Sequence, residues 1–293
     1  MRAGVKEAGA VEGGFAPQFP WAQAAWFGAM LVACYAPVLY RLAKQWYSDA
    51  DMGHGFFVPI VAAYIVWQRR QKLLAVRPAP SWWGLVPLIW GALQLYAATL
   101  GAELFLARTA FIISLIGVVL LLGGRPVLRL TAFPLGLLFF MVPIPAILYN
   151  QLTFRLQLLA SSVAEMSLSL LGVPVLREGN ILELANQRLS VVEACSGIRS
   201  LLTLAFLSLV CAYFFDRKVW MRGALLAATV PIAISANALR VTLTGLLTEW
   251  NPELAEGVFH QLEGWVIFML GLMMLAATHF AINRVYGAVH GRR

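Results

Sequence analysis

The chain has 293 residues, of which 60% are hydrophobic and 12% are charged. About a quarter of the residues in a soluble globular protein are charged, so this composition excludes a soluble domain. The net charge of +8 does not point to a nucleic-acid partner. The basic residues cluster in short loops between apolar runs, as the topology signals of membrane proteins do.

The first segment, residues 1–20, mixes Gly, Ala, Pro and a few charges without an apolar centre. This pattern predicts a flexible tail and not a signal peptide. The rest, 21–293, is predicted to form one integral-membrane domain, whose first hydrophobic run serves as insertion signal and anchor.

Apolar runs of about 20 residues predict helices that span a membrane. Eight such runs occur, at 22–40, 55–68, 83–101, 105–122, 130–148, 197–215, 223–247 and 260–282. The run 55–68 is the shortest, and it reaches membrane length only if it extends through Gln68–Arg70 with the arginines snorkelling.

The loops between these runs predict their orientation. The basic loops fall on one side of an eight-span chain, and the opposite loops are acidic or balanced; the basic ones are 68–77, 123–129, 216–222 and the terminal "HGRR". Positive loops stay cytoplasmic. Both termini are therefore predicted in the cytoplasm of a cell whose inner membrane holds the protein.

The segment 150–172 is long enough to span but carries many polar residues, namely Arg155, Gln157, Ser161, Ser162, Glu165, Ser167 and Ser169. A charged residue at mid-membrane costs about 3 kcal/mol on insertion scales. If this segment spanned, Cys195 would move to the cytoplasm and the charge rule would break. It is predicted to be an amphipathic or re-entrant helix at the outer interface.

The next segment, 173–194, has the alternating pattern of β-strands and not the pattern of a helix. Apolar residues alternate in "NILEL" and "RLSVV", with "ANQ" between them as a turn. This pattern predicts a small β-hairpin outside the membrane. A two-stranded hairpin is marginally stable alone, so it is expected to pack on the helices.

Three cysteines occur in the chain, and two of them, Cys34 and Cys211, lie in apolar runs where a thiol behaves as a small hydrophobe. There is no CxxC pair, so neither a disulfide framework nor a zinc ribbon is predicted. Cys195 differs, because Ser196 and Gly197 follow it and suit the start of the sixth predicted span.

Three unlike polar residues meet at one face of the membrane in this topology. Cys195 starts the sixth span, Arg240 lies toward the outer end of the seventh, and His260 opens the eighth. A thiolate is a nucleophile, a histidine can move its proton, and an arginine can bind a carboxylate or a developing oxyanion. The set predicts acyl-transfer chemistry facing the outside, with no metal or organic cofactor.

Supporting residues surround this set. Glu193 and Arg199 are predicted to form a local structural ion pair, and this interpretation is slightly preferred over a direct functional role. Asn237 lies one turn before Arg240, where orienting it and bonding between helices are equally expected. His54, in "DADMGHGFF", belongs either to a lid or to a plain loop.

The chain resembles the exosortase/archaeosortase family in three ordered blocks, "VVEACSGIRSLL", "ISANALRVTLTGLL" and "GVFHQLEGWVIF". The family carries Cys in an E-x-C-S-G-x-R block, Arg in an N-x-x-R block, and His before a final spanning helix. These positions match Glu193 to Arg199, Asn237 to Arg240, and His260, and the resemblance covers about 45–285.

The resemblance implies a membrane-embedded cysteine transpeptidase or protease. Its substrate would be an exported protein with a C-terminal sorting signal, made of a motif such as Pro-Glu-Pro, a transmembrane helix and a basic tail. The new carboxyl end would pass to a cell-envelope acceptor, often alongside exopolysaccharide production. Cys195 would be the nucleophile, His260 the base, and Arg240 the group that binds or polarises the scissile region.

The residues alone leave other functional classes of membrane protein possible. A transporter or channel would use Arg240 and Asn237 to line a polar path and would tolerate Cys195→Ser. A membrane acyltransferase would need a lipid donor, and a non-enzymatic scaffold would tolerate substitution of all three residues.

Overall fold

The computed structural model describes residues 21–185, 187–191, 197–215, 218–250 and 257–290. Its α-helices are α1 Trp21–Ser48, α2 Phe57–Gln68, α3 Arg70–Ala75, α4 Leu85–Leu100, α5 Leu104–Leu137, α6 Ala146–Leu170, α7 Gly197–Phe215, α8 Val219–Trp250 and α9 Gly257–His290. Short 3₁₀ helices cover Ala50–Phe56, Trp82–Gly84 and Leu138–Met141, and the strands are β1 Val175–Glu178, β2 Ile181–Leu184 and β3 Arg188–Ser190.

Membrane-length helices dominate this part of the chain. Five described helices are long and apolar enough to cross a membrane: Trp21–Ser48, Trp82–Leu100, Leu104–Met141, Trp220–Trp250 and Gly264–Val289. A sixth apolar helix, Arg199–Phe215, is shorter. The chain is therefore a multi-pass, essentially all-α membrane protein with a small sheet.

The helices do not reproduce the predicted boundaries of all eight spans. The run predicted at 55–68 forms α2, which has 12 residues and is about 18 Å long, against the ~30 Å of a membrane core. The run predicted at 105–122 falls within α5, and the run predicted at 130–148 covers the end of α5, the 3₁₀ helix after it and the first residues of α6. The count of eight stays a prediction.

A kink at Gly124 divides α5 into two helical segments. Gly124 has φ +70° and ψ −170°, a conformation that a side chain disfavours. A Cβ at this position would lie 1.7 Å from the carbonyl oxygen of Ala79. The Ala79 N–H donates to the Gly123 carbonyl at 3.2 Å. Glycine is required here because the backbone of 79–81 lies directly against the kink.

The described residues form two compact units, 21–45 with 56–142, and 46–55 with the residues from 143 onward. In the first unit the Tyr35 hydroxyl lies 2.9 Å from Ser114 Oγ, and Tyr35 packs with Leu31 and Ala110. The second unit contains α6 to α9 and the sheet. One of its apolar clusters is Leu204, Ala212, Leu225, Ile232, Ala233 and Leu275, contributed by α7, α8 and α9.

The sheet has three antiparallel strands in the order β1–β2–β3, where the sequence predicted two. Ile181 pairs with Ser190 and Val175 with Leu184. Leu182, fully buried, packs against Ala160, Ala164 and Leu168 of α6. The sheet is therefore part of the core of the second unit.

Three polar residues of α6, Gln157, Ser161 and Glu165, have partners in the β1–β2 hairpin. Ser161 Oγ donates to the Gly179 carbonyl at 3.0 Å, Arg177 Nε donates to Glu165 Oε2 at 2.8 Å, and Asn180 Nδ2 donates to Gln157 Oε1 at 3.2 Å. A polar stripe on this helix therefore binds the β1–β2 hairpin, because buried polar groups need hydrogen-bond partners.

Candidate active site

The structure describes only part of the predicted constellation. Glu193, Cys195 and Ser196 lie outside the described residues. The structure does describe the residues on either side of 192–196. Before them, Val191 is fully buried, and its N–H donates to the Asn180 carbonyl at 3.0 Å. On the other side Gly197 begins α7. Cys195 is therefore one of the five residues, 192–196, that separate Val191 from α7 in the sequence.

Arg240 extends from α8 onto the backbone of α9. A Cβ built on Gly264 would lie 3.3 Å from Arg240 Nη2 and 3.4 Å from Arg240 Cζ. The guanidinium group thus rests where α9 carries no side chain. His260 precedes Gly264 by four residues on the same helix, and residues spaced by four share one face. The packing brings Arg240 to the helical turn that begins with His260.

Asn237 lies one turn before Arg240 and is buried, with 7% of its surface exposed. It lines a small cavity with Leu156, Leu201, Ala233 and Ile234, from α6, α7 and α8. The cavity measures about 10 Å³, which is room for about one water molecule. Leu201 comes six residues after Cys195, so the start of α7 lies against the turn of α8 that leads to Arg240.

Arg199, in the first turn of α7, binds a residue that sequence reasoning missed. Its Nε donates to Asp51 Oδ1 at 2.6 Å, and its Nη2 lies 2.5 Å from the same oxygen. The other Asp51 oxygen accepts a short hydrogen bond from the Tyr149 hydroxyl. Glu193, the partner that the sequence favours for Arg199, is outside the described residues. Within the described part of the chain, Arg199 forms its ion pair with Asp51.

Tyr149 is the neutral donor in this cluster. Burial raises the pKa of its hydroxyl, and the hydrogen bond to Asp51 and the negative charges of Asp51 and Asp49 raise it further. The positive charge of Arg199 opposes part of this rise. Because the pKa moves upward from 10, Tyr149 stays protonated and donates throughout the physiological range.

His54 lies in the same short segment as Asp51, and it is buried, with 8% of its surface exposed. Its ring centroid is 6.5 Å from that of Phe206 on α7, at an interplanar angle of 38°. Of the two alternatives in the sequence, a lid or a plain loop, neither anticipates this packing. One signal was available: Asp51 and His54 are polar residues three apart, a spacing that places them on one face of a helical turn.

The comparisons with known proteins point to one family. A family model described as transmembrane exosortase matches residues 46–277. The match begins at the segment that holds Asp51 and His54, and it includes Cys195, Arg240 and His260. No curated protein and no solved structure matches the chain. Because the family model covers most of the chain, this protein belongs to the transmembrane exosortase family.

Proposed function

We propose that the protein is a membrane cysteine transpeptidase or endopeptidase that removes a C-terminal sorting signal from exported proteins. The signal would consist of a motif such as Pro-Glu-Pro, a transmembrane helix and a basic tail. The trimmed protein would pass through a thioester on Cys195 to water or to an amine of a cell-envelope acceptor. Family membership supports the enzyme class, and the residues of the second unit support the roles below.

The observation that carries this proposal is the contact of Arg240 with Gly264, one turn from His260. A cation placed beside the turn of a histidine suits acyl transfer, because one group balances a developing negative charge while the other moves a proton. The cavity shared by Leu201 and Asn237 links the start of α7 to the same part of α8. Cys195 is two residues from that start.

The proposed reaction has two halves. His260 takes the Cys195 proton, and the thiolate attacks the scissile carbonyl carbon to form a tetrahedral oxyanion, which Arg240 stabilises. The C–N bond breaks as the imidazolium gives its proton to the leaving amine, and a thioester remains. Water or an acceptor amine then attacks the thioester, loses its proton to His260, and releases Cys195 as the thiol after proton return.

The place of Cys195 in the sequence, two residues before α7, would favour its thiolate form. The partial positive charge at the N-terminus of a helix lowers the pKa of a thiol placed there. Arg199 lies four residues after Cys195 in the sequence, and its ion pair with Asp51 fixes the position of the guanidinium group. The helix N-terminus supports the assignment of Cys195 as the nucleophile.

We further propose the topology that the charge rule predicts. Residues 21–293 form one integral-membrane domain of eight spans after a tail of 1–20, with both termini in the cytoplasm and the site facing the periplasm. The α6 helix and the sheet lie at the outer surface in this arrangement. A signal helix in the bilayer can dock laterally on the bundle and leave its polar motif at the interface.

The test uses cells that express the protein together with an exported protein carrying such a signal. The wild-type enzyme is expected to shorten this exported protein (the tagged protein, whose sorting signal is the tag). The His260→Ala variant, at matched expression, is expected to leave it intact. Intact mass of the product measures both results, and it separates hydrolysis from transfer because transfer adds the mass of an acceptor. A tag that stays intact with wild type across several motifs would contradict the proposal.

The contact of Arg240 with Gly264 makes a separate prediction. Gly264→Ala places a methyl group 3.3 Å from Arg240 Nη2, so the guanidinium must shift, and kcat for signal removal is expected to fall about tenfold. Gly271→Ala is the matched control: it lies on the same helix, and its methyl group would lie 3.3 Å from Leu204 Cδ1 instead. Equal kcat values in the two variants would contradict the role of this contact.

A further inference from the structure

The short segment 46–55 lies along the first turns of α7. Asp51 binds Arg199, and three residues later His54 packs on Phe206. Arg199 and Phe206 are seven residues apart, so they lie on one face of α7 two turns apart. The segment therefore contacts α7 at two points on the helix that follows Cys195.

The segment itself is well anchored. Asp49 Oδ1 accepts from the Asp51 N–H at 2.9 Å, and the Asp49 carbonyl accepts from the Met52 N–H at 3.0 Å. A Cβ on Gly55 would lie 2.4 Å from the indole of Trp46. These contacts close the segment on itself and fix the Asp51 backbone before its side chain reaches α7.

The Asp51 carboxylate also has a fixed direction, because it is bound from two sides. Tyr149 of α6 donates to one oxygen and Arg199 of α7 donates to the other. The Asp51 side chain is 22% exposed, whereas that of Arg199 is 46% exposed. A half-exposed arginine alone samples many rotamers, and a partly buried, doubly bound carboxylate restricts that freedom.

We propose that Asp51 and Tyr149 are positioning residues that hold Arg199, and thereby set the orientation of the first turn of α7 and of Cys195 before it. The proposal rests on the proposed function for the identity of the nucleophile. Displacing a reacting group by about 1 Å can cost up to ~10²-fold in rate. The energetic effect of the cluster is therefore expected in kcat more than in stability or KM.

The test compares Asp51→Asn, Arg199→Gln and their double variant. Each single change is expected to lower kcat for signal removal about tenfold, with KM unchanged. The double variant is expected to match the worse single variant, because both changes break the same contact. Effects that multiply in the double variant, or an unchanged kcat in Asp51→Asn, would overturn the proposal.

The matched control is Glu165→Gln. It breaks the ion pair of Glu165 with Arg177, which is 2.8 Å long, has similar exposure at 31% and 35%, and joins α6 to β1 without any residue of α7. This variant is expected to keep kcat. A tenfold loss in Glu165→Gln would mean that any ion pair of the unit matters, and the specific role of Asp51 would be lost.

A measurement without substrate separates this proposal from the proposed function. In a Cys34→Ser, Cys211→Ser background, iodoacetamide alkylates Cys195 as the only thiol. Tyr149→Phe removes one hydroxyl and no charge, so slower alkylation reports a displaced or less activated thiol. We expect it to be severalfold slower, and an unchanged rate would overturn the role of Tyr149. This result is independent of whether any sorting signal is cleaved, and Tyr149→Phe keeps the test available if Asp51→Asn does not accumulate.

Discussion

Replacing Cys195 with alanine is expected to abolish removal of the sorting signal. Cys195 supplies the atom that forms the thioester, and loss of a nucleophile costs at least ~10³-fold in kcat. Cys195→Ser is expected to be almost as inactive, because a serine hydroxyl ionises far less readily than a thiol. The fraction of tagged protein with its signal intact, followed by mass over time at matched expression, measures the loss.

Two matched variants control this result. Cys34→Ala and Cys211→Ala remove the other thiols, which lie in α1 and α7 within apolar runs, and both variants are expected to keep full activity. If Cys195→Ala still removed the signal, the nucleophile would be a different residue. If Cys195→Ser kept a transport activity that Arg240→Ala lost, the transporter interpretation would replace the enzymatic one.

The second large effect is expected at Arg240. Arg240→Ala should lower kcat by about 10²- to 10³-fold, because a group that stabilises an oxyanion acts mainly in the transition state. Arg240→Lys should recover little, since a lysine ammonium cannot reproduce the planar, multiply donating guanidinium. Steady-state kinetics on a tagged peptide in detergent would separate kcat from KM.

Arg222→Ala is the control for Arg240→Ala. Arg222 lies on the same helix, with its guanidinium 5.7 Å from the ring centroid of Tyr213. This variant loses an arginine from α8 but none of the proposed site, and it is expected to keep kcat. A rise in KM alone in Arg240→Ala would contradict transition-state stabilisation and would indicate that Arg240 binds the substrate uniformly.

Local patterns predicted the helical membrane fold well. The apolar runs near Trp21, Leu104 and Gly264 are membrane-length helices, because hydrophobicity over about 20 residues is a property of one segment alone. The resemblance in three blocks predicted the family that the family model identifies. The roles of Cys195, Arg240 and His260 stay predictions.

Features that depend on packing were harder to predict. The break in α5 at Gly124 requires the backbone of Ala79, which is distant in sequence. The polar residues of α6 predicted an amphipathic or re-entrant helix at the outer interface, but they did not indicate that Ser161 is fully buried against the β1–β2 turn. In both cases the sequence of one segment does not indicate its partner, which is the Ala79 backbone for Gly124 and the Gly179 carbonyl for Ser161.

Composition and apolar run lengths determined by themselves that this chain is a largely helical membrane protein, and the residues Glu193 to Arg199, Arg240 and His260 carried its resemblance to the exosortase family. Only the tertiary structure decided that Arg240 rests on Gly264 and that Arg199 pairs with Asp51 and, through it, with Tyr149. Arg199 and Asp51 are 148 residues apart. A sequence pattern records spacing within a segment, whereas an ion pair of this separation forms only because packing places two distant segments side by side.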